Sequence, residues 1–122
     1  MERSTLDPPH GEITARISND VVQALHEYTG RGPTKARTTY AGDLISVVLQ
    51  DTLTTGERTL VEHGCADLVL STRSEYQSAM RGRLTADVER VSGRKVIAFM
   101  SDNHIDPDYA VESFVLAPVD PQ

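Results

Sequence analysis

TKARTTYAGDLISVVLQ, residues 34–50, decides the reading of the fold. Thr34–Tyr40 is rich in threonine and ends in an aromatic ring, and Leu44–Gln50 is strongly β-branched, the composition of two strands. Ala41-Gly42-Asp43 between them makes a tight turn, so the stretch reads as a β-hairpin. A helix precedes it, from about His10 to Tyr28. There Ile13, Ile17, Val21, Ala24 and Tyr28 fall on one stripe at spacings of three and four, widened by Val22 and Leu25. Asp7 before Pro8 and Pro9 is a start signal, and Gly30 suits the position just past a helix end. After the hairpin, Thr54-Thr55-Gly56-Glu57 is a capping box that opens a short helix over about Thr55–His63, ending at Gly64. A long helix is expected from about Asp67 to Val91, with Tyr76, Met80, Leu84, Val88 and Val91 on its apolar face. Gly82 inside it reads either as a close crossing or as a tolerated helix weakener. Strands at Lys95–Ser101 and Tyr109–Leu116 then flank a turn over Asp102–Asp108.

The expected order is therefore α-β-β-α-α-β-β. It implies an α+β fold, a four-stranded, largely antiparallel sheet with helices packed on one face. Each half echoes the other: a helix ends at Gly-Arg, at YTGRGP and again at VSGRK, and the chain enters a hairpin. The expected organisation is a flexible N-terminus over 1–9, one domain over 10–116 and a flexible tail over 117–122.

The chain has 122 residues, 39% apolar and 25% charged, as in an ordinary soluble domain with a real core. No apolar run approaches the roughly 18 residues of a membrane span, and MERSTLDPPHGE has no secretory character, so a cytoplasmic location is expected. The single cysteine, Cys65, cannot form an intramolecular disulfide, in keeping with a reducing compartment. A net charge of −6 argues against nucleic-acid binding, which needs a basic face for phosphate contacts. Strands Leu44–Gln50 and Lys95–Ser101 are apolar on both sides, whereas a sheet with one wet face normally alternates. A second copy related by a two-fold contact would cover the extra face, and a homodimer is expected; loops and the short helix are the other way to cover it.

Three candidate sites stand out. In TGRGPTKART, Gly30, Arg31, Gly32 and Pro33 form a loop, and Lys35 and Arg37 point to one side of the following strand. Together the cations suit an oxyanion such as a phosphate, carboxylate or bicarbonate. The same residues also read simply as a helix-to-strand joint with a charged edge strand. In SDNHIDPDYAVE, the alternation of Asp102, His104, Asp106, Asp108 and Glu112 suggests oxygen-rich metal chemistry. The loop nevertheless has Pro107 where a calcium loop of this length needs glycine, and a hairpin turn explains the composition equally. His10, His26, His63 and His104 are scattered, with no nucleophile elbow or triad spacing, so no catalytic residues and no cofactor are assigned and a non-enzyme is expected.

The segments TGRGPTKART, LISVVLQDTLT, LTADVERVSGRKVIAF and SDNHIDPDYAVESFVL resemble the small bacterial family MpsC over about residues 10–116. The family label refers to a sodium-translocating, membrane-potential-generating system that has also been linked to inorganic carbon uptake. The resemblance implies a non-catalytic accessory or regulatory protein, not inserted in the membrane, whose partner is a membrane complex moving ions or bicarbonate. The family's basic loop falls on Gly30, Arg31, Gly32, Pro33, Lys35 and Arg37. Its acidic turn falls on Asp102, Asp106 and Asp108, with His104 where an acidic residue would be common, a departure that weakens the metal reading. The alternative function is a small sensor that binds an anion or nucleotide at the basic loop.

Overall fold

The computed structural model describes residues 8–30 and 35–119. Its elements are α1 (Pro8–Thr29), β1 (Lys35–Ala41), β2 (Leu44–Gln50), α2 (Thr55–Glu62), α3 (Ala66–Ser92), β3 (Val96–His104) and β4 (Tyr109–Leu116). This is the expected α+β order. Of the ends expected to be flexible, residues 1–7 and 120–122 lie outside the described residues. The first helix already begins at Pro8, and the Ala117 amide donates to the Lys95 carbonyl at 2.8 Å.

Local signals place the elements where the sequence marks them. The Thr54 hydroxyl accepts the Glu57 amide at 3.1 Å and the Glu57 carboxylate accepts the Thr54 amide at 2.8 Å, closing both halves of the capping box of α2. Both α1 and α3 are followed by a left-handed glycine, Gly30 at φ 82° and Gly93 at φ 73°.

The strands form one antiparallel sheet in the order β1-β2-β4-β3. Each αββ half contributes one hairpin, and the two hairpins meet through their second strands. The inner face carries Ile45, Val47 and Leu49 of β2 and Ala110, Phe114 and Leu116 of β4, all buried. Onto it pack α1, through Ile17, Val21 and Ala24, and α3, through Met80, Leu84 and Val88. The rings of Phe99 and Phe114 meet at 5.2 Å. Arg83–Glu27 and Arg90–Asp20 tie the solvent sides of α3 and α1 together.

Three details differ from the sequence reading. Tyr28 and Tyr76, expected on the apolar faces, are exposed, and Gln77 rather than Tyr76 turns inward. The second hairpin turn is shorter than expected, because β3 continues through His104, where its residues pair with Tyr109, Ala110 and Val111 of β4. Nothing lies within 4 Å of where a side chain on Gly82 would begin, so no neighbouring element requires that glycine.

Candidate functional site

The loop Asp51–Thr54 carries the chain off β2 and over the end of the sheet to α2. Beneath α2, between the last turn of α1 and the middle of α3, lies a half-open cavity of about 330 Å³. Its walls are largely apolar, from Leu25, Leu49, Leu60, Tyr76, Met80 and Ala110. One wall is polar, built from Thr52, Glu57, Arg73, Gln77, Asn103 and Glu112.

These polar residues form a continuous chain of hydrogen bonds. Arg73 grips Glu57 with two parallel bonds, Nε to Oε2 at 3.0 Å and Nη2 to Oε1 at 2.7 Å. Its remaining N–H groups reach the Thr52 hydroxyl at 2.7 Å, the Thr52 carbonyl at 2.6 Å and the Asn103 side-chain oxygen at 3.3 Å. A guanidinium has five N–H donors, so Arg73 is saturated by the protein. Partial burial alone would raise the pKa of Glu57, but the bonds from Arg73 and from the Thr54 amide together hold it below the ordinary carboxylate range.

From Asn103 the chain runs inward. The Asn103 amide donates to Gln77 Oε1 at 3.0 Å, and Gln77 Nε2 donates to Glu112 Oε2 at 3.2 Å. Glu112 is 1% exposed, and its other oxygen, Oε1, is buried with no hydrogen-bond partner among the described residues. Burial pushes its pKa up to about 7; the Gln77 amide, the Ser101 hydroxyl and the more distant Arg73 charge pull the other way and lose. Arg73 offsets the charge of Glu57, and the raised pKa of Glu112 favours its neutral form, so the polar wall carries little net charge.

The sites read from the sequence lie elsewhere. Of the basic loop, Arg31, Gly32 and Pro33 are outside the described residues. Gly30 ends α1, its amide bonded to the His26 carbonyl at 2.9 Å. Lys35 and Arg37 do point to one side of β1, as expected, but on the outer face of the sheet, away from the cavity. Asp102 and His104 also stand on the outer face, at the far edge of the sheet. His104 Nδ1 lies 2.8 Å from the Pro107 carbonyl. Asp108 instead turns to the cavity end of the fold. It accepts the Thr52 hydroxyl at 2.8 Å and the Leu53 amide at 2.9 Å, and lies 3.5 Å from Arg58. It thereby holds the loop that leads into α2. Among the described residues no three of His, Cys, Asp and Glu are grouped to hold a metal ion.

The residues that line the polar wall carried a readable signal. In YAVESFVL, Ala110, Glu112, Phe114 and Leu116 share the buried side of an alternating strand, so a carboxylate stands at a core position. Gln77 likewise falls on the stripe of Met80 and Leu84 in α3. Polar residues at core register mark a built network.

A family model described as "Na+-translocating membrane potential-generating system (MpsC)" matches residues 9–118, a span holding the whole sheet, the helices apart from Pro8, and every residue of the cavity. The chain belongs to the MpsC family. Comparisons with curated proteins and with solved structures give no match. In this MpsC domain no helix among the described residues is long and apolar enough to cross a membrane.

Proposed function

We propose that the protein is a cytoplasmic, non-catalytic accessory subunit of a membrane ion-translocating complex, and that a small molecule held in the cavity under α2 regulates it. The family description supports the partner class. The observation that carries the regulatory part is the cavity itself: apolar walls, an almost neutral polar wall and a buried carboxyl oxygen with no partner among the described residues. Its volume falls at the small end of the range that small ligands occupy. Because Arg73 has no donor left, the cavity does not favour anions. It suits a compact apolar body with one hydrogen-bond donor at its head, an alcohol or an amine, which would pair with Glu112.

Affinity capture of the tagged protein from cross-linked membranes of its native host tests the first part. Recovery of an integral-membrane ion-transport complex is the expected result, and recovery of no membrane protein would overturn the accessory role. The ligand class is tested by thermal unfolding with hexanol, hexylamine and hexanoate. A ligand present at a hundred times its Kd stabilises by about 2.7 kcal/mol. The alcohol or amine is expected to raise Tm in the wild type and not in Thr72→Trp, which fills the cavity from the exposed side of α3. Stabilisation by hexanoate alone, or by none of the three, would reject this ligand class.

A further inference from the structure

The helices cover only one face of the sheet. On the other, the strand registers line residues up in rows that cross all four strands. Arg37, Val48, Val111 and Asp102 make one row, and Ala41, Leu44, Val115 and Ala98 another. Between these two, Met100 ends a row that begins at Thr39, and Ser46 and Ser113 fill its middle, their hydroxyls 3.2 Å apart. On either side of that serine pair the central strands are apolar, and the face is open: Leu44 is 44% exposed and Met100 55%. Its charges sit at opposite edges, Lys35 and Arg37 on β1 and Asp102 on β3. Strands lie about 4.8 Å apart, so Arg37 and Asp102 of one chain are separated by about 14 Å and do not pair with each other. Neither makes an ion pair among the described residues.

We propose that this outer face binds a second copy of the chain, sheet against sheet, about a two-fold axis that runs along the strands between the two sheets. That axis reverses the strand order and leaves each row at its own level. Strand β1 then lies over the partner's β3, and β2 over the partner's β4. Arg37 meets the partner's Asp102, Val48 meets the partner's Val111, and Leu44 meets the partner's Val115. Each pairing occurs twice, as a two-fold contact requires. A two-fold axis across the strands would instead set β1 on β1 and bring the cations together. The charge pattern therefore selects one arrangement of the sandwich, and the ordinary 30° offset between stacked sheets is small enough to keep the edges matched. The apolar rows of β2 and β4 supply the contact and the edge charges set its orientation.

Sedimentation velocity across a concentration series, with native mass spectrometry, tests this directly. The wild type is expected to be a dimer at micromolar concentration. Arg37→Asp and Asp102→Arg should each weaken it on the order of 100-fold, since each places like charges at two symmetry-related contacts. Mixing the two single variants should restore a dimer containing one chain of each, because both contacts then pair opposite charges. The double variant Arg37→Asp/Asp102→Arg should dimerise with itself. Rescue by mixing separates this geometry from damage to the fold, which mixing would not repair. A wild type that stays monomeric at about 100 µM, far above the Kd expected of a specific dimer, overturns the proposal and leaves the face to another partner. A dimer that neither single variant weakens overturns the arrangement.

Discussion

Glu112 ties the cavity to pH. The folded protein holds its proton more tightly than the unfolded chain, with a pKa raised from 4.5 to about 7. The stability associated with that proton is complete below the unfolded value and is lost as pH rises through about 7. The shift corresponds to about 3 kcal/mol as an upper figure. Glu112→Gln keeps a polar group against Gln77 but cannot ionise. It is expected to stabilise the protein by about 2–3 kcal/mol at pH 8 and to change little at pH 4. Urea unfolding at the two pH values measures this, and equal effects at both would show that burial of the charge is not what the native state resists. Glu57 behaves oppositely: its lowered pKa means that stability is present above the unfolded value and lost in acid. At this scale the sequence showed Glu57 as a cap but concealed its second role, because Arg73 reaches it from α3, a contact between distant parts of the chain. In the sequence Glu112 reads only as part of the acidic alternation of SDNHIDPDYAVE, although its register with Ala110, Phe114 and Leu116 marks a carboxylate on a buried strand face. That its partner would be Gln77 was not legible, since nothing local links β4 to α3.

The elements were the most legible level, and the reason is local chemistry. Capping boxes, left-handed glycines and period-two apolar runs act within a few residues of themselves, and α2, β2 and both hairpins follow from them. The failures came where a helix meets two neighbours. In α3 a stripe built on Tyr76 and one built on Gln77 are both compatible with a 3.6-residue period, and packing against β3 and the cavity chooses the latter. Gly82 was left open between a crossing and a weak point. With no atom near its missing side chain and a helical backbone, it is the second. Gly82→Ala is therefore expected to stabilise the protein by about 1 kcal/mol, through helix propensity and a less flexible unfolded chain. A denaturant midpoint that rises at unchanged slope would confirm it; destabilisation would mean that the site is closer to a neighbour than the fold shows.

The whole molecule is two αββ halves joined through β2 and β4, with α2 inserted between them. The echo of Gly-Arg before each hairpin foreshadowed this, but strand order did not follow from it. Only the burial of Ile45, Val47 and Phe114 under both helices fixes the second strands at the centre. Arg94 then locks the halves together, donating to the Tyr40 hydroxyl, to the Gly42 carbonyl and to the Ala117 carbonyl while pairing with Asp43. Such a centre has a kinetic price. Helices and hairpins close within short loops, but Gln50 must find Tyr109 and Leu44 must find Val115 across about half of the chain. Non-local pairing of this kind slows folding. The docking of one half on the other is then the slow step, and contacts along that seam should exist at the barrier while the outer strands are still forming. In chevron experiments Ile45→Val should slow folding, with a φ-value above about 0.5, whereas Val96→Ala should mainly speed unfolding, with a φ-value below about 0.3. The reverse ranking would mean that an edge hairpin nucleates the chain. On this account an isolated half forms its turns quickly yet stays unfinished, because the surface that completes its sheet is made by residues at the other end of the polypeptide.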